Sequence, residues 1–396
     1  MRIAVDAGTW FNGRGFGRFT RELITAMLQH QHNHEFVLLL DRDPPLGLDA
    51  ESINVRPRHR VTEAAIADGQ RSLTDMLRFT RAARGCRADV LFYPAIYSWF
   101  PTPPGLANLV TIHDAIPELF PKLMFPRRAD RWRWRAKVRL AQWQATRFLT
   151  VSESARADLT NTLGIASDTI DVTTEGPNNC FRPPATAADA VRIRREVNTR
   201  LGLSVDTRFF CYVGGFAPHK NVPLIVRAFE TMGPNDHHLL LVGDPDSHGF
   251  QSSLSELRSA IETCRSSRER IRFTGFLSDS DLAALYATAD ALVMPSMSEG
   301  FGLPAIEAMA CGTPVIASNA ASLPEVVGDA GYLLDPVDTA AFSAAMRRVA
   351  VDAPHLEVLR QRARQRATHF SWQKSAQLAF ASLEKTLHIA HRSHSP

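Results

Sequence analysis

Long hydrophobic runs are missing from this chain of 396 residues: apolar runs such as Phe36–Leu40 and Leu239–Val242 are strand-sized. A membrane-spanning helix needs roughly 18 consecutive apolar residues, so no segment is expected to cross a bilayer. Cysteine is scarce. The five cysteines, Cys86, Cys180, Cys211, Cys264 and Cys311, have no C-x-x-C spacing, and an odd number suits reduced structural thiols better than a disulfide framework. Charge of one sign is not dominant either. Lys plus Arg number 45 and Asp plus Glu 41, a formal charge of +4, too small to call for a nucleic-acid partner. The opening Met-Arg-Ile-Ala-Val runs into β-like sequence without a basic leader and apolar stretch, which makes a cytoplasmic location the expectation. No period of 20–50 residues recurs, so nothing supports a solenoid.

What is present is alternation. Short β-branched or aromatic runs take turns with helix-length amphipathic segments, the pattern of an α/β protein whose parallel strands are joined by crossover helices. The first half predicts strands at Arg2–Asp6, Phe36–Leu40, Val90–Tyr93, Leu109–Ile112 and Phe148–Val151; the second half predicts them at Phe209–Val213, His238–Val242, Ile271–Phe273, Ala291–Met294 and Val315–Ala317. That is enough for two sheets. Between them, residues 175–186 are rich in Pro, Gly and Asn, which interrupt both helix and ladder hydrogen bonds. The expected organisation is a first domain over 1–178, a second over 179–369 and a terminal helix over 370–396.

After the opening strand comes a glycine-rich loop leading into a helix, with Gly13, Gly15, Gly17 and Arg18. The dinucleotide fingerprint G-x-G-x-x-G fails here, because the third position is Arg18 counted from Gly13 and Thr20 counted from Gly15. Two readings stay open. Gly15 and Gly17 with Arg18 could receive an anionic ligand at the helix start, or the glycines could serve a turn that needs positive φ and Arg18 could be solvated.

The second half is sharper. Pro295-Ser-Met-Ser-Glu-Gly-Phe-Gly-Leu-Pro-Ala-Ile-Glu-Ala-Met-Ala-Cys-Gly-Thr-Pro314 follows a predicted strand, and Pro304 and Gly312 are placed to open and close a helix over about 304–311. Gly300 and Gly302 keep the backbone bare ahead of it, so first-turn amides and the positive end of the helix dipole suit a diphosphate. Glu299 and Glu307, eight residues apart, fit two neutral sugar rings better than phosphate, since a carboxylate accepts strongly from hydroxyls. Two solvated acids flanking a helix start are the plain alternative.

These residues carry a resemblance. Glu299 to Glu307, embedded in Ser-Glu-Gly-Phe-Gly-Leu-Pro, resembles the E-x7-E motif of retaining glycosyltransferases of family 4, with the GT-B fold. Phe209–Asn221, Phe273–Leu282, Pro295–Ser318 and Leu323–Gly331 fall in the order of that family's donor domain, and Val110–Pro117 and Val151–Leu159 extend the likeness into the first half. The resemblance implies two Rossmann-like parallel-sheet domains facing a cleft, with the terminal helix returning to the first. It implies a nucleotide-sugar donor held mainly by the second domain and an acceptor by the first. Glu307 would meet the ribose, Glu299 the donor sugar, the backbone of Gly300, Phe301, Gly302 and Leu303 the sugar and phosphates, and Lys220 the diphosphate. The loop with Phe276 and Leu277 would meet the base. The family often carries an arginine where Gly215 stands, so Lys220 would work with another cation such as Arg18 across the cleft, or the phosphate pocket is weaker than usual. His113 would lie by the donor sugar as an orienting residue, making it with Glu299 and Lys220 the expected catalytic set; Asp114 is an acceptor-side or turn residue.

No His/Cys ligand set with metal-binding spacing stands in the loops after the second-half strands. With Lys220 and a helix dipole to oppose leaving-group charge, neither metal nor cofactor is expected. The wording around His113 resembles bacterial surface-polysaccharide mannosyltransferases, which makes GDP-mannose the first donor to consider, with UDP-sugars open. A catalytically silent nucleotide-sugar binder shares the same pocket, and a nicotinamide oxidoreductase lacks its fingerprint.

From Arg127 to Arg139 there are seven basic residues and one acid, with Trp132, Trp134 and, further on, Trp143 interleaved. At 100° per residue Trp132, Ala136, Leu140 and Trp143 form one stripe, and Trp134, Val138, Ala141 and Ala145 nearly the opposite one. One stripe belongs to the core. The other is either packed on a neighbour or free to meet a membrane surface or a lipid-linked acceptor, which would put the protein at the inner face of a membrane. Near the end, Leu378, Phe380, Leu383 and Leu387 recur at helical period.

Overall fold

The apolar runs become strands of two separate parallel sheets. In the computed structural model, which describes residues 1–30, 33–45, 47–58, 71–125, 127–233, 236–245 and 251–393, the chain divides into two units. One comprises Met1–Glu175 with Trp372–Pro396 and the other Gly176–Ser371, so the division falls at the head of the Pro/Gly/Asn segment.

The first unit contains β1 (Arg2–Asp6), β2 (Glu35–Leu40), β3 (Glu51–Asn54), β4 (Val90–Tyr93), β5 (Ala107–Thr111), β6 (Arg147–Thr150) and β7 (Ile170–Val172), in the order β3-β2-β1-β4-β5-β6-β7. The second contains β8 (Arg208–Val213), β9 (His237–Val242), β10 (Ile271–Gly275), β11 (Ala291–Met294), β12 (Val315–Ser318) and β13 (Gly331–Leu334), in the order β10-β9-β8-β11-β12-β13. Central strands such as β4, β11 and β12 are buried along their whole length, as expected of parallel strands covered on both faces by helices. Three strands were not predicted: β3, β7 and β13. All are edge strands, and their short or half-exposed sequences, Glu-Ser-Ile-Asn in β3 above all, lack the apolar run that announces a central strand.

Each sheet reverses its order once, between β1 and β4 in the first and between β8 and β11 in the second. The crevice beyond the carboxyl ends of such a strand pair is where open α/β sheets bind ligands. The two reversals differ. At the first, Arg71 is fully buried and donates to both carboxylate oxygens of Asp6, at 2.8 and 3.3 Å, and to the carbonyl of Ser98, so a side chain fills the space. At the second, loops carrying Lys220 and Glu299 follow β8 and β11.

The helix Trp372–Ser393 belongs to the first unit. It buries Trp372, Ala376, Ala379, Phe380 and Leu383, and Leu378 lies beside that stripe, half-buried. Ser382 and Lys385 donate to the two oxygens of Asp171, at 2.7 and 2.9 Å, and Arg147 adds a third bond at 2.9 Å. Ser375 hydroxyl donates to the carbonyl of Thr174 at 2.6 Å. These polar contacts anchor the last helix beside β6 and β7.

Candidate functional site

The second unit gathers most of the expected donor residues around β8 and β11. A turn of 3-10 helix, Pro218–Lys220, ends at Asn221 in the left-handed region with φ 52°, and Asn221 donates from its side chain to the carbonyl of Pro336 at 2.6 Å. That turn aims Lys220 back toward the β11 loop. Its ammonium donates to Glu299 Oε2 at 2.6 Å, with the two side chains 23% and 9% exposed. The loops are also joined through their backbones, Met297 N–H donating to the carbonyl of His219 at 2.7 Å. Ser322 holds the loop from the far side, its hydroxyl 2.7 Å from the carbonyl of Phe301 and 3.1 Å from that of Glu299.

This ion pair was not foreseen. The sequence places the partners 79 residues apart, and no local pattern couples them; strand order would, since both follow strands at the reversal. Burial pushes the Glu299 carboxyl up, but the Lys220 charge and hydrogen bond outweigh it and hold the group below the ordinary Glu range. His219, beside them, is lowered to about 4 by burial and by the adjacent ammonium, so it is neutral at physiological pH.

The helix after this loop spans Leu303–Ala310, with Pro304 in its first turn and no side-chain cap. Gly302 precedes it at φ 111°, a conformation that favours glycine. The first-turn amides and dipole therefore face the loop that carries Glu299. At the other end, Gly312 at φ 82° closes the helix, with Gly312 N–H bonded to Met309 and Thr313 N–H to Ala308, both 2.9 Å; this is the Schellman arrangement. Phe301 and Leu303 are buried, Gly300 is half-buried, and Glu307 is buried within the helix. Phe301 packs edge-on to Phe370 at 5.7 Å, which fixes the loop before the glycine. Gly215 accepts a hydrogen bond from the Tyr212 hydroxyl at 2.5 Å, and a Cβ there would have nothing within 4 Å. The position has room for a side chain that this protein does not place. Phe276 follows Gly275 and is 80% exposed, with Leu277 half-buried.

In the first unit the candidates lie on two elements that meet where Phe19 packs on His113. Arg18 lies in the first turn of the helix Gly15–Gln29, half-buried. The positive φ considered for this loop is absent from Gly13, Gly15 and Gly17. Gly17 instead meets a packing demand, since a Cβ there would stand 2.1 Å from the carbonyl oxygen of Asn12, whereas Gly15 has open space. β5 ends at Thr111, one residue earlier than predicted, and His113 lies two residues beyond it. Its ring is buried edge-on against Phe19 at 4.7 Å, burial lowers it to about 3, and neither ring nitrogen has a partner among the described residues. Asp114 accepts from the backbone N–H of Ile116 at 3.0 Å, a turn contact.

Comparison with known proteins converges on one description. Residues 194–366 match the model of glycosyl transferases group 1, and residues 13–176 match that of glycosyltransferase family 4. The chain is 33% identical over 274 residues to O-antigen chain mannosyltransferase B of Escherichia coli, covering 67% of each protein. It is 28% identical over 253 residues to the serotype-specific mannosyltransferase WbdA of Escherichia coli, covering 63% of this chain but 30% of that larger protein. Among solved structures, sucrose-phosphate synthase from Thermosynechococcus elongatus superposes with a TM-score of 0.74 at 21% identity, over 98% of this chain and 100% of that one. Anabaena HepE in complex with UDP-glucose does so at 0.73 and 18% identity, over 97% and 100%. Both likenesses establish the fold.

Proposed function

The chain belongs to the family 4 glycosyltransferases of GT-B fold, and from that premise we propose that it transfers mannose from GDP-mannose, with retention, to a glycan or lipid-linked oligosaccharide acceptor of surface-polysaccharide synthesis. The observation that carries the donor side is the Lys220–Glu299 pair, 2.6 Å long, beside the uncapped start of the helix Leu303–Ala310. Cleaving a bond to a nucleoside diphosphate leaves charge on phosphate oxygens, so a fixed ammonium and aligned amides act more strongly on the transition state than on the ground state. In this reading Lys220 and the amides of Gly302 and Leu303 take the diphosphate, with Gly215 leaving its side open. Glu299 orients Lys220 and accepts from a sugar hydroxyl, and Glu307 accepts from the ribose. Phe276 and Leu277 border the base. His113, neutral at physiological pH, orients the donor sugar by hydrogen bonding rather than by charge. Gly15, Gly17 and Arg18 belong to the first unit and serve the far edge of the donor, and Asp114 serves the acceptor side.

Mannose is favoured by the relatives named mannosyltransferases. A thermal-shift panel of GDP, UDP, ADP and their sugars tests the choice, because selective binding to the native state raises the midpoint. GDP and GDP-mannose are expected to stabilise the chain most; a larger shift with UDP and a UDP-sugar would replace the donor. Release of nucleoside diphosphate is expected to persist in excess chelator at an unchanged rate, since Lys220 and the helix start supply the positive charge. Loss of turnover on chelation, restored by a divalent ion, would refute that assignment.

A further inference from the structure

The basic aromatic helix of the first unit has one face that the fold does not use. The helix Arg128–Gln144 buries Trp134, Lys137, Val138 and Ala141. Trp134 stacks on Tyr97 at 5.5 Å and donates from its indole to Glu118 at 2.6 Å, and Lys137 donates to the carbonyl of Tyr97 at 2.6 Å. The Trp134 stripe is therefore the core one. On the opposite stripe Trp132 is 73%, Leu140 53% and Trp143 81% exposed, where water-facing helices usually carry polar residues.

Arginines border that stripe. Arg131, Arg135 and Arg139, spaced by four, lie along one side, all exposed, and none of the three makes an ion pair among the described residues. The acid of the helix, Asp130, is engaged with Arg133 at 3.3 Å. The same three arginines line a cavity of about 240 Å³ with Glu118 and Leu163 on its other walls. Burial raises Glu118 to about 7, against the pull of the Trp134 hydrogen bond, so its carboxyl offers less than a full negative charge to an anion. An apolar belt with two tryptophans, flanked by unpaired cations, is complementary to a surface that is apolar beneath and anionic on top.

We propose that this face docks on an anionic lipid bilayer, with Trp132, Leu140 and Trp143 entering the boundary between headgroups and acyl chains and Arg131, Arg135 and Arg139 taking a lipid phosphate into their cavity. The proposal does not rest on the donor assignment, which concerns the other unit.

Co-sedimentation of the full chain with vesicles tests it. The chain is expected to pellet with vesicles of mixed phosphatidylcholine and phosphatidylglycerol, to stay in solution with phosphatidylcholine alone, and to be released by salt. Arg131→Gln/Arg135→Gln/Arg139→Gln is expected to weaken the partition by about a hundredfold, at about fivefold for each arginine near the surface. Trp132→Ser/Trp143→Ser should lose both pelleting and the blue shift of tryptophan emission. These side chains are exposed, so both variants should keep the wild-type circular dichroism and the donor hydrolysis measured without vesicles. Equal pelleting with both vesicle types, pelleting with neither, or an unweakened triple-arginine variant overturns the proposal. So does stabilisation by soluble glycerol phosphate without vesicle binding, which would assign the cavity to a free phosphate.

Discussion

Lys220→Ala is expected to lower turnover by about 10²–10³-fold, the usual effect of removing one donor that opposes developing charge. The lysine has two partners in this account, Glu299 in the resting protein and the diphosphate in the complex. Glu299→Gln separates them, because it removes the ion pair while leaving the ammonium in place. If the lysine serves the phosphates, Lys220→Ala weakens nucleoside diphosphate binding at least about tenfold, a loss of one good charged contact, and Glu299→Gln does not. Equal affinities for wild type and Lys220→Ala in calorimetry would leave the lysine a structural partner of Glu299 only.

The same substitution changes stability in a pH-dependent way. With Lys220 present, the Glu299 carboxyl is held below its ordinary range despite burial. A carboxylate with a depressed folded pKa contributes stability above its unfolded value, and that stability is lost as pH falls through the folded value. In Lys220→Ala burial acts without the ammonium, the group moves up, and its ionised form is penalised at neutral pH by about 1–3 kcal/mol. The gap in Tm between wild type and variant is therefore expected to be widest near pH 7 and to narrow as the medium is acidified through the carboxylate range. A gap independent of pH would contradict the pairing.

Gly17→Ala should be the most damaging small change in the first unit. Its Cβ would stand 2.1 Å from the Asn12 carbonyl oxygen, and that oxygen is itself held by Arg21 at 3.0 Å, with Arg21 also bonded to the Trp10 carbonyl at 2.8 Å. Neither side can yield without breaking a contact, so a loss of about 3 kcal/mol is expected, or about 6–12 °C in Tm for a unit of this size. Gly15→Ala, in open space at the first helical position, should be neutral or stabilising by up to about 1 kcal/mol. Any loss of activity in Gly15→Ala then reports ligand contact rather than folding. Equal destabilisation by the two would mean that the loop is held otherwise than described.

Much of this was legible in the sequence, for identifiable reasons. Central strands such as β1, β4 and β11 announce themselves because burial on both faces demands unbroken apolar runs, and the Pro304 and Gly312 boundaries follow from backbone chemistry alone. The edge strands β3 and β7 were hidden because a half-exposed strand needs no such run. The tryptophan helix carries two apolar stripes on opposite sides, and only its tertiary neighbours Tyr97 and Glu118 decide which is buried. Asp6, Arg71 and Ser98 fill the first reversal of strand order through contacts up to 65 residues apart, and the Lys220–Glu299 pair at the second spans a still longer separation. Residues joined by strand order alone leave no local trace.

The loops after β8 and β11, with the start of the helix Leu303–Ala310, are proposed to hold the donor diphosphate. A crystal structure of the chain with GDP bound measures this most directly. Phosphate oxygens are expected within hydrogen-bond distance of Lys220 Nζ and of a first-turn amide at Gly302 or Leu303. A diphosphate lying elsewhere, with Lys220 still closed on Glu299, would contradict it.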